Sequence, residues 1–124
     1  MNDILLTISS LVVIGWGTAH IIPTKGVVTL FGPLSDENRR ILTMEWIAEG
    51  LALVYIGLLI LVLTLMGKSD NSAALVVYRL SALMLFVLAG WTHLTGARTS
   101  ILPIRLCPFV LSGAGLLILI GSFL

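Results

Sequence analysis

Hydrophobic residues occupy this chain in four long runs, and the charged positions collect between them. Residues 4–24, 50–67, 80–97 and 106–124 carry no Asp, Glu, Lys or Arg. Each run reaches the roughly 18–20 residues at which an α-helix crosses the hydrocarbon layer. The apolar positions are continuous rather than alternating, which disfavours membrane strands. Backbone in lipid must also satisfy its own hydrogen bonds, as a helix does. The pattern predicts an all-α, polytopic membrane protein. Its form is an antiparallel four-transmembrane-helix bundle with spans near 4–22, 44–66, 75–94 and 104–123, in a single integral membrane domain over 1–124. A buried core helix of a soluble protein could explain one such run but not four. The N-terminal region has Asp3 and no Lys or Arg before the first span, so no cleaved signal peptide is expected.

The connections are unequal. Residues 23–43 form the long one, broken by Gly26, Gly32 and Pro33. Ser35-Asp36-Glu37 reads as a helix start, a serine cap followed by acids in the first turn. Val27-Val28-Thr29-Leu30-Phe31 is apolar and is expected in the interface or folded back over the bundle. The turn at 67–72 is short, which implies antiparallel neighbours.

The halves also resemble each other. Gly15-Trp16 with His20 at the end of the first run echoes Gly90-Trp91 with His93 at the end of the third. Gly57-Leu58-Leu59-Ile60-Leu61 echoes Gly115-Leu116-Leu117-Ile118-Leu119. A duplicated two-helix hairpin would explain both, with its axis along the membrane normal. Chance recurrence of Gly, Leu and Ile is the alternative. The Trp–His match is the more informative of the two, because Leu-rich runs recur in any membrane helix.

Composition narrows the function classes. Of 124 residues, 58% are hydrophobic and 10% charged, with mean hydropathy +1.12. Soluble domains carry about a quarter charged residues, so a soluble enzyme and a disordered chain are excluded. A net charge of +1 provides no field for nucleic acid. The single Cys107 excludes an internal disulfide and any zinc site built from several cysteines. Its default role is a small buried residue, with palmitoylation or a reactive thiol as alternatives. Lys25, Arg39, Arg40, Arg98 and Arg105 fall on one side of the bundle, against Lys68 and Arg79 on the other. By the positive-inside rule the loops after the first and third spans are cytoplasmic and both termini lie outside.

Ionisable groups within spans are expensive and call for a partner. Glu45 and Glu49 share a face of the second span, with Glu49 one turn deeper. Spans one and three end on the side where span two begins, so His20, Glu49 and His93 belong to one leaflet. They are the candidate proton-handling groups, with Trp16, Glu45, Trp91 and Arg98 as candidate ligand contacts. The ordinary readings are interfacial anchoring for the tryptophans and solvation for His20, His93 and Glu45. Three chemistries are open: acid–base work on a lipophilic molecule or quinone, metal binding, and a buried ion-pair network. The Glu45-x-x-x-Glu49 spacing lacks the Glu-x-x-His pairs of di-iron bundles, and no metal site is assigned. Gly15, Gly17, Gly50, Gly57, Gly90, Gly113 and Gly115 let helices approach closely or pair between copies. Tyr55, near mid-span, is expected in the core. Pro103 and Pro108 mark the start of the last helix.

In layout the chain resembles the DoxX-like group of small four-helix membrane proteins. The first span closes on Ala19-His20-Ile21-Ile22-Pro23-Thr24-Lys25-Gly26, the second contains Glu49-Gly50-Leu51-Ala52-Leu53, and the third ends at His93. The connection through Ser35 to Arg40 and the following Met44-Glu45-Trp46 have no counterpart in that pattern. The resemblance implies a bacterial cytoplasmic membrane and a redox accessory role with a quinone, but carries over no catalytic residue. The partners expected are the lipid bilayer and either a second copy or a membrane redox partner. Proton-coupled transport and a non-catalytic assembly subunit remain the rival functions, and the residues do not decide whether the protein is an enzyme.

Overall fold

A computed structural model describes residues 2–124. The described residues form helices and turns with no sheet: α1 Asp3–Ile21, α2 Thr24–Thr29, α3 Asp36–Leu65, α4 Ser72–Leu94, a 3-10 turn Gly96–Arg98, and α5 Leu102–Gly121. The four long helices are apolar and long enough to cross a bilayer, so the chain has the form of a four-span membrane bundle. Their outward faces carry exposed Leu, Ile, Val and Phe along the whole length, Leu11, Leu58, Leu83 and Leu116 among them. In water such a belt would be an aggregation surface; in lipid it is the solvated face.

Local chemistry sets the ends. Ser35 caps α3 by accepting from the Asn38 N–H at 3.2 Å, with Asp36 and Glu37 in the first turn. At about 1.5 Å per residue, a helix of 30 residues is longer than the bilayer core, so its charged first turns project. At the other end Gly67, at φ 62°, reverses the chain, and Asn71 caps α4 through the Ala73 N–H. α2 packs back on α3 and buries Val27 and Val28. Pro103 sits in the first turn of α5, whereas Pro108 lies inside the helix and is buried. There it leaves the carbonyl of residue 104 without its intrahelical N–H, unlike the placement expected from sequence.

Packing runs α3–α1–α5–α4, while α3 and α4, consecutive in the chain, scarcely touch. The short turn therefore makes them antiparallel but not packed neighbours. They are joined near the turn, where the Tyr78 hydroxyl meets Thr64 Oγ1 at 3.1 Å. Towards the other end a cleft of about 340 Å³ separates them, lined by Phe31, Trp46, Glu49, Met84 and Leu88 among others. Buried Ser9, Ser10 and Ser122 return their hydroxyls to carbonyls of their own helices, as polar residues in lipid must. Tyr55 is 65% exposed on the lipid face, and Tyr78 is the buried tyrosine.

The two hairpins repeat one packing register. Buried Leu6, Ser9, Ser10, Val13 and Gly17 of α1 correspond at a constant offset to buried Tyr78, Ser81, Ala82, Leu85 and Ala89 of α4. Leu53, Gly57, Ile60 and Thr64 of α3 correspond likewise to Leu111, Gly115, Ile118 and Ser122 of α5. The contacts agree: a Cβ on Gly57 would meet Ser10 and Ile14, and a Cβ on Gly115 would meet Ala82 and Phe86, the matching positions.

Candidate functional site

The site begins with a glycine crossing. A Cβ on Gly17 would lie 2.7 Å from the Gly50 carbonyl oxygen, and one on Gly50 would lie 2.8 Å from that of Gly17. No side chain fits, so α1 and α3 touch backbone to backbone. Glu49 precedes the crossing on α3 and His20 lies one turn beyond it on α1. The crossing therefore presses their helices together at the level of both side chains.

His20 is 4% exposed. Its Nδ1 lies 2.9 Å from the Trp16 carbonyl oxygen. A carbonyl only accepts, so Nδ1 holds the proton and Nε2 of the neutral ring offers its lone pair. That Nε2 is 4.0 Å from Glu49 Oε1, with the glutamate half-buried. Trp46 stacks on the imidazole at 4.6 Å and Trp16 meets it edge-on at 5.7 Å. Cys107 of α5, 3% exposed, completes the group: a ring nitrogen, a carboxylate oxygen and the sulfur all lie within 4.8 Å of one another. Trp16 and Thr92 flank the thiol. The Trp16 and Trp46 indole N–H groups are buried without a hydrogen-bond partner.

A second cleft of about 340 Å³ adjoins the cluster. Trp16, His20 and Trp46 line it with Val27, Pro103 and Leu106. His20 thus faces an apolar cleft on one side, and Glu49 opens onto the α3–α4 cleft on the other.

The structure brings together His20, Glu49, Trp16 and Trp46. Glu45 is exposed at the margin of the α3–α4 cleft. His93 and Trp91 are exposed and join none of these contacts, and Arg98 is exposed in the 3-10 turn. The physical reason lies in the register. His20 follows Trp16 by four residues and shares its face; Trp91 and His93 flank position 92, which holds the register of His20, and each is turned about 100° from it. In the packing register the counterpart of His20 is Thr92, and the counterpart of Glu49 is Cys107. The sequence contained a signal for Cys107: aligning the runs that start at Gly57 and Gly115 sets Cys107 directly over Glu49.

Compared with known proteins, the chain matches no family model, no curated protein and no solved structure. The DoxX-like resemblance therefore stays one of layout.

Proposed function

We propose that the protein binds a bilayer-soluble molecule with an oxygen-bearing head group, of which a quinone is the class that fits, and serves as an accessory subunit to a membrane redox partner. The observation that carries this reading is a buried imidazole of defined tautomer, bordered by a carboxylate and opening on an apolar cleft. The cleft volume suits a single ring. The buried Trp46 indole N–H is a donor without an acceptor, and a quinone carbonyl supplies one. In quinol oxidation the membrane redox partner would take both electrons, while His20 Nε2 accepts one hydroxyl proton and the Glu49 carboxylate the other. The excess of Lys and Arg on one side supports this end of the bundle facing the cytoplasm, with the termini outside.

The test is fluorescence quenching by a short-chain quinol, the reduced form of a quinone, on the full chain in lipid nanodiscs. His20→Ala is expected to weaken quinol binding about tenfold, because a quinol hydroxyl can donate to the Nε2 lone pair. His93→Ala leaves it unchanged, because that side chain lies outside the site. Equal affinity in wild type and His20→Ala overturns the reading.

A second reading, proton-coupled transport, draws on Glu45 and Glu49 lining the α3–α4 cleft at successive depths. Flux in proteoliposomes that ignores a pH gradient removes it.

A further inference from the structure

The shared register places four side chains at one level of the bundle: His20 and Glu49 from the first hairpin, Thr92 and Cys107 from the second. Three of the four are strong metal ligands, each from a different helix. We propose that His20, Glu49 and Cys107 bind a divalent transition-metal ion of the zinc class. The proposal does not rest on the quinone reading.

The geometry carries it. Ligand atoms on one tetrahedral zinc sit about 3.5 Å apart, given metal–ligand bonds of about 2.0–2.3 Å. His20 Nε2 and Glu49 Oε1 are 4.0 Å apart, too far for a hydrogen bond and close to a ligand–ligand edge. With the sulfur included, one donor atom from each of the three residues lies within 4.8 Å of the others, so binding would draw them together by roughly 1 Å.

The surroundings match as well. A metal-bound histidine characteristically donates its other N–H to a carbonyl or carboxylate, and His20 Nδ1 does so to Trp16. A bound cysteine is a thiolate and needs donors. The unpartnered Trp16 indole lies beside Cys107. Charge favours a divalent ion: thiolate and carboxylate together carry two negative charges that the cation neutralises in a low-dielectric setting. The donor set of sulfur, imidazole nitrogen and one carboxylate selects a borderline ion over calcium or magnesium. Three protein ligands leave a fourth position open to water or to the Thr92 hydroxyl. The Thr92 proton is already given to the Leu88 carbonyl, so the hydroxyl presents lone pairs.

The experiment titrates Co²⁺ alone into the full-length protein, chelator-treated and held in detergent. One ion per chain is expected, with a thiolate-to-cobalt charge-transfer band that Cys107→Ser abolishes. His20→Ala and Glu49→Gln should each weaken Co²⁺ binding about tenfold or more, the scale on which metal-site contacts act. Cys107 is the chain's only thiol, so wild type supplies a readout that needs no variant: Zn²⁺ should slow its alkylation by maleimide. Cobalt bound without the charge-transfer band, or alkylation indifferent to Zn²⁺, overturns the proposal. A protein that binds quinol but shows no cobalt band sinks the metal site and keeps the earlier reading, and the converse result does the opposite.

Discussion

The two hairpins are built on one register and present different chemistry at one level. In the first, the helices touch backbone to backbone at Gly17 and Gly50. In the second, the corresponding positions are Ala89 and Pro108, both buried with side chains in place. The tighter hairpin carries the imidazole and the carboxylate, and the looser one carries a hydroxyl and a thiol. Close approach is thus associated with the imidazole and the carboxylate. A half-buried glutamate in a membrane helix needs its partner held at short range, and glycine contact achieves this without long, mobile side chains between the helices.

The largest break in this comparison should come from making the first hairpin resemble the second. Gly17→Ala sets a methyl group 2.7 Å from a backbone oxygen, which only helix separation relieves. A loss of about 3 kcal/mol is expected, read by unfolding in mixed micelles, together with weaker ligand binding as His20 and Glu49 part. The matched pair Gly57→Ala and Gly115→Ala sharpens the point at equivalent positions. The first methyl meets Ile14 at 2.6 Å, and the second finds its nearest atoms at 3.3 Å. We expect about 1–3 kcal/mol lost in the first case and under about 1 in the second. Equal losses would show that the hairpins do not differ in tightness. The tie between the halves should matter less than either crossing in the first hairpin. Tyr78→Phe removes the hydroxyl contact with Thr64, which keeps its bond to the Ile60 carbonyl. About 1 kcal/mol should be lost in the same unfolding measurement, with no change in ligand affinity.

The spans were legible because charge is excluded from them, and the Ser35 cap was legible because its side chain has one local task. Facing was not. Lipid and bundle core are equally apolar, so hydrophobic periodicity carries little information about which side of a membrane helix is buried. Tyr55 and Tyr78 illustrate this: composition ranks them alike, yet one faces lipid and the other is fully buried. The same blindness favoured the wrong internal match. The echo of Trp16 and His20 in Trp91 and His93 drew weight from rare residues, but Trp91 lies three positions and His93 one position off the packing register, and Trp91 is 68% exposed. The leucine-rich echo looked like chance and holds the true register, because its leading glycines sit where helices cross. Cys107 was overlooked for a related reason. A lone cysteine has no spacing to read, and its partners lie on other helices, visible only once the two halves are superposed.

Because α1 and α3 meet through glycine, the backbone at positions 20 and 49 is held by contacts that reach no further along either side chain than the His20 Cβ. Mounting and fitting are thereby separated. Residues at those two places can be exchanged while the frame beneath them stays put. The same scaffold could then host other donor sets through a few substitutions at a single tier, which makes the bundle a ready chassis for installing new ligand chemistry within a membrane.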